Sequence, residues 1–193
     1  MTRLLLVLLL AGCASVARVD PSFTVGDALE LTTDGRWNRI DPPSSEADAD
    51  EVWTADGVTL DMVLFYVGVA DGAPLGRDGG AQAPVFRAGM LPHDVVELYE
   101  ANVTRDGAIF SLERLAPARF GGAEGFVFEH TTTVRSGAQL RGRAYGAVVD
   151  GRLYLMSYSA PAAHFYAKHL PAVEALAASA KIRRRETAAS ASP

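Results

Sequence analysis

QLRGRAYGAVV at 139–149, the pair Asp150-Gly151, then RLYLMSYS at 152–159 is the stretch whose reading decides the fold. Two apolar runs joined by Asp-Gly predict a β-hairpin, because a two-residue type I′ turn needs positive φ at both central positions. That turn sets Val149 opposite Arg152, and the register follows. Gly142, Ala144, Gly146, Val148, Leu153, Leu155, Ser157 and Ser159 then share one face. Arg143, Tyr145, Ala147, Tyr154, Met156 and Tyr158 share the other. The first face is nearly bare at its far end, which predicts close approach of the Ala-rich C-terminal helix. The second face is aromatic. Arg143, Tyr145, Tyr154 and Tyr158 are candidates for ligand binding by stacking, or for core beneath a helix at 90–103.

Upstream, Phe23, Val25, Leu29 and Leu31 alternate through 23–32, read as a first strand broken by Gly26. Asp34-Gly35 turns into a short return strand at 37–40, and the acidic stretch at 46–50 is a solvated loop without calcium-loop spacing. Segments 51–54 and 58–69 predict a second hairpin. Leu60, Met62, Leu64 and Tyr66 point one way and Val63, Phe65 and Val67 the other, so layers are expected on both faces of the sheet. Residues 70–89 are rich in Gly, Ala and Pro without a period; this long loop is the place for a lid or a partner contact.

The stripe Leu91, Val95, Leu98, Asn102, flanked by Val96, Tyr99 and Val103, predicts a helix over 90–103. Strands follow at 110–115 and 125–134, joined by PARFGGAEG read as a loop with a turn at Gly121-Gly122. A second helix is expected over 161–179, capped by Ser159, with Phe165, Leu170, Val173, Leu176 and Ala177 inward. The tail 183–193 reads as disordered.

Composition bounds the function. The chain has 193 residues, 49% of them apolar, enough for one core, and its formal charge of −5 lacks the basic stripe of a nucleic-acid binder. Its single cysteine, Cys13, follows Arg3, an apolar run at 4–10 and the small residues Ala11 and Gly12. Leu10-Ala11-Gly12-Cys13 resembles the lipobox of bacterial lipoproteins. The resemblance implies a signal peptide at 1–12, diacylglycerol on Cys13, acylation of the new α-amine, and a membrane held through several acyl chains. Residues 13–22 then read as a lipidated tether before a single domain at 23–182. Ala14, where Asp would favour the inner membrane, resembles an outer-membrane signal and implies that membrane's periplasmic face in a Gram-negative cell.

No catalytic constellation stands out. His164 and His169 are five apart and point to different sides of a helix, so no metal site is expected. Ser157 or Ser159 with His164 would be a hydrolase reading, but no nucleophile elbow surrounds either serine. Gly121-Gly122 lacks the Lys-Ser/Thr of a phosphate loop, and no cofactor is expected.

The element order predicts α+β architecture: an antiparallel sheet of about six to seven strands with helices packed on its faces. It is similar to the PsbP-like superfamily, DcrB-like bacterial lipoproteins included. The similarity rests on 23–31 followed by Trp37, the helix at 90–103, GGAEGFVFEH at 121–130, and 153–159 leading to a helix that ends Ser179-Ala180-Lys181-Ile182. The resemblance implies a PsbP-like sandwich and an accessory envelope protein that binds an unknown protein partner or small ligand without turnover. A hydrolase and a purely structural envelope protein are the alternatives.

Overall fold

The computed structural model describes residues 15–41, 49–76 and 83–184. The hairpin forms as expected: strands β9 (Gln139–Val149) and β10 (Arg152–Pro161) pair antiparallel with Val149 opposite Arg152 and Ser157 opposite Ala144. Asp150 and Gly151 take φ of 50° and 70°, the left-handed pair that a type I′ turn demands.

Around this hairpin lies an eight-stranded antiparallel sheet in the order β1-β4-β5-β6-β10-β9-β8-β7. Its other strands are β1 (Ser15–Arg18), β4 (Asn38–Asp41), β5 (Glu51–Thr54), β6 (Met62–Val69), β7 (Ile109–Phe120) and β8 (Ala123–Thr133). A second sheet of three strands, β11-β3-β2, is built from β2 (Ser22–Val25), β3 (Leu29–Thr32) and β11 (Lys181–Ile182). Among the described residues two helices, α1 (Pro92–Val103) and α2 (Phe165–Ser179), complete the α+β fold.

The sheet exceeds the expected six to seven strands, for local reasons. Residues 15–18, read as tether, form an edge strand. The single strand expected at 23–32 is a hairpin in the other sheet, turning where Gly26 and Asp27 both have positive φ. The return strand after Asp34-Gly35 pairs with β1 and β5 instead of with its predecessor. PARFGGAEG is not a loop: β7 and β8 run through it, and only Gly121-Gly122 turns, at φ 62° and 82°. Pro117 is tolerated there because β7 is an edge strand, where a missing N–H need break no ladder.

The strand expected at 58–69 starts only at Met62, after a turn at 58–60, and is buried on both faces as its sequence requires. Val63 and Phe65 enter one cluster, which also holds Trp37, Trp53, Tyr154, Met156, Tyr158 and the α2 residues Tyr166, Val173 and Leu176. Leu64 and Tyr66 enter the other, with Phe126, Phe128, Ala144, Leu155 and the α1 residues Val95, Val96, Leu98 and Tyr99. The helices therefore cover the hairpin the opposite way from expectation. The bare face lies under α1, and the aromatic face under α2.

The bare positions do not make room for a helix backbone. They accept rings from β8, which is hydrogen-bonded alongside: Phe126 is opposite Gly146 and His130 opposite Gly142. A Cβ on Gly146 would stand 2.5 Å from the Phe126 ring, and one on Gly142 would collide with His130. Bulk missing from one strand is supplied by its neighbour.

α2 also starts later than expected. Ser159, Ala160 and Pro161 stay paired with β9, so Ser159 caps nothing and the helix begins at Phe165 after His164. At α1 the Asp94 carboxylate accepts the Leu91 N–H at 2.7 Å, as an acidic first turn favours.

Candidate functional site

The aromatic face is filled. Tyr158 is fully buried, and its hydroxyl donates to the Phe165 carbonyl at 2.9 Å. Tyr154 is 6% exposed within the α2-side core. Tyr145 is half-buried and stacks with Phe120 at 6.4 Å between centroids. Arg143 donates to Glu129 at 2.6 Å and to Glu174 on α2. The bond from Arg143 outweighs burial and holds the Glu129 carboxyl below the usual range. Arg143, Tyr145, Tyr154 and Tyr158 thus share one face as the register predicts, and their partners come from the sheet and α2.

The two candidate serines lie on the α1 face, with the sheet between them and α2. Ser157 is buried, and its hydroxyl is 2.7 Å from the Tyr99 hydroxyl, whose own pKa burial pushes up to about 12. His164 precedes α2 and meets the Phe165 ring edge-on.

A polar cluster that the sequence reading passed over joins α2 to the β5–β6 loop. Asp56 Oδ2 lies 2.7 Å from His169 Nε2 and accepts from Lys168 Nζ at 2.5 Å. Bonds from Lys168 and then His169 hold the Asp56 carboxyl below its ordinary value. Asp61, almost wholly buried, orders the same loop by accepting from the Thr54 hydroxyl and from the N–H groups of Ala55 and Asp56.

Asp56, Asp61 and His169 bring ligand-type atoms within 4.8 Å of one another. They do not fit a cation site. The Lys168 ammonium already sits on Asp56, Asp61 spends its oxygens on the loop, and His169 Nδ1 is buried with no acceptor among the described residues to orient the ring for a metal. The arrangement is an ion-paired latch between a loop and the start of a helix. Of the acidic stretch at 46–50, only 49 and 50 are described; Asp50 accepts the Val67 N–H at 2.7 Å.

The described parts of the long loop, 70–76 and 83–89, are pinned by Leu75 and Phe86, both buried. Phe86 and Ala73 are bonded through the backbone at 2.8 Å. Beside this anchored segment, residues 84–90 and α1 enclose an open groove of about 470 Å³. Val85, Met90, Leu98 and Ala101 supply apolar surface, and Arg87, Asp94 and Glu97 supply charge. Residues 77–82 lie outside the described residues.

No protein-family model and no curated protein matches the chain. Among solved structures it is similar to cyanobacterial PsbP (CyanoP) from Synechocystis sp. PCC 6803. The TM-score is 0.60 at 14% identity, over 93% of this chain and 99% of that one. The fold is PsbP-like. LpqN, involved in cell envelope biogenesis of Mycobacterium tuberculosis, aligns at a TM-score of 0.47 and 13% identity, over 90% of this chain and 93% of that one.

Within this PsbP-like fold the sequence marked 70–89 as a long loop before a helix, and the groove beside it came only with the structure. The latch had only a faint signal. His169 falls four residues before Val173 and seven before Leu176, on the buried stripe of α2. Its partner Asp56 is 113 residues away, and no local pattern links them. Among the described residues, no helix is long and apolar enough to cross a membrane.

Proposed function

We propose that this chain is a membrane-anchored envelope lipoprotein, acylated at Cys13. It serves as a non-enzymatic accessory protein that binds a protein partner or small ligand in the groove beside α1. The groove carries this reading. It is an open groove of about 470 Å³ that sets apolar side chains beside Arg87, Asp94 and Glu97. Such a lining takes an apolar body with a polar end. The Leu10-Ala11-Gly12-Cys13 leader supports the anchor, and Ala14 supports the outer membrane in a Gram-negative cell. The fold is a scaffold that specifies no reaction by itself.

Two experiments test this reading. Radiolabelled palmitate should enter the wild type and not Cys13→Ser; equal labelling ends the anchor. A photo-crosslinking residue at Ala101, in the groove, should give an adduct in cells that the same residue at Ser136, in the β8–β9 turn, does not. Identical patterns from both positions would remove the groove as the binding site.

A further inference from the structure

From Ser15 onward the segment that follows Cys13 is not free chain. Ser15–Arg18 is β1, paired with β4 residue by residue from Ser15 opposite Asp41 to Arg18 opposite Asn38. Beyond it, the Val19 N–H donates to the Trp37 carbonyl at 2.9 Å, and the Val19 side chain is buried in the α2-side core. Arg18 Nε donates to the Gly35 carbonyl at 2.8 Å. From residue 15 onward the backbone is welded to the domain. Only Ala14 separates Cys13 from the first strand.

We infer that the β1 edge of the eight-stranded sheet is the membrane-facing surface of this protein, its occupant being the bilayer that holds the Cys13 acyl chains. The inference rests on the lipidation proposed above. Two Cα steps reach about 7 Å, whereas a free ten-residue tether would reach about 35 Å. An anchor this short places β1 among the headgroups. β1 suits that place: among the described residues it is an edge strand with no neighbour beyond it, and Val16 is 66% exposed. At the opposite edge stands β7, seven strand spacings away, or roughly 33 Å. Its exposed Ile109 and Leu112 therefore lie far from the bilayer. Groove, latch and β7 edge are carried at fixed distances from the membrane instead of swinging on a leash.

The test uses the full lipidated chain in vesicles of phosphatidylethanolamine and phosphatidylglycerol, a fraction of the lipid bearing a nitroxide on its headgroup. Acylation consumes the chain's one cysteine, so an introduced thiol takes an environment-sensitive fluorophore uniquely. Flotation with the vesicles comes first; a chain that does not float refutes lipidation itself. For chains that float, Val16→Cys should lose its fluorescence to the nitroxide, and Ser111→Cys on β7 should keep it. Ala17→Cys, also on exposed β1, repeats the reading should Val16→Cys fold poorly. Ten Gly/Ser residues inserted between Ala14 and Ser15 should abolish the quenching at 16. Floating chains quenched equally at 16 and 111, or unaffected by the insertion, overturn the inference and leave the anchor standing.

Discussion

Acid should destabilise this domain through one buried side chain, His130. Its ring is 2% exposed and lies between Phe110, Tyr99 and Phe128, at centroid distances of 4.9, 5.4 and 5.8 Å. Nδ1 meets the Thr132 hydroxyl at 3.2 Å, and Nε2 has no hydrogen-bond partner among the described residues. Burial lowers the pKa from 6.5 to about 4, so the folded protein keeps the imidazole neutral. The unfolded chain takes up a proton from pH 6.5 downward and the folded chain only near pH 4. This group's contribution is thus fully present above 6.5 and is lost as the pH falls through the window between the two values. The loss reaches about 3 kcal/mol at the bottom of that window, and about 2–3 kcal/mol by pH 4.5. That is a large part of an ordinary domain's stability of about 5–15 kcal/mol. Urea melts of the wild type and His130→Phe at pH 7.5, 5.5 and 4.5 measure it. Phenylalanine keeps the aromatic packing and does not titrate. It strands the Thr132 hydroxyl at every pH, a constant offset. Carboxylates such as Glu129 and Asp56 weaken both proteins alike. The wild type should lose about 2–3 kcal/mol more than the variant between pH 7.5 and 4.5. Parallel losses would refute the placement of His130 as a neutral buried ring.

Gly146→Leu should cost about 1–3 kcal/mol or more in denaturant melts, because its side chain must displace the Phe126 ring. A variant as stable as the wild type would contradict the β8–β9–β10 register. Tyr154→Ala should cost about 3–5 kcal/mol as a core truncation beneath α2, measured by the same melts. Asp56→Asn should speed hydrogen exchange in the first turns of α2 while lowering global stability by only about 1 kcal/mol or less, since the pair with Lys168 is half in solvent. Unchanged exchange there would mean that the latch holds nothing.

By itself the sequence determined what local backbone and side-chain chemistry dictates. Asp150-Gly151 specified a turn, the turn specified the register, and the register sorted the hairpin's side chains into two correct faces. The apolar residues on both faces of the strand expected at 58–69 required layers on both sides, and both are present, although the strand itself starts only at Met62. The loop before α1 was legible because Gly, Ala and Pro without a period form no element. Tertiary structure alone decided which helix covers which face. Gly142 and Gly146 looked like a bed for a helix, yet the volume they leave is claimed by His130 and Phe126 from a strand whose pairing no local signal announces. It alone recruited 15–18 as an edge strand, because a short segment without a turn signal becomes a strand when β4 offers it an open edge. It also brought Asp56 to His169 across 113 residues. Short-range rules fix dihedral angles and the alternation of faces. Contacts between distant segments are chosen by which volumes and charges remain unfilled once the sheet has closed, and a sequence read one window at a time does not hold that information.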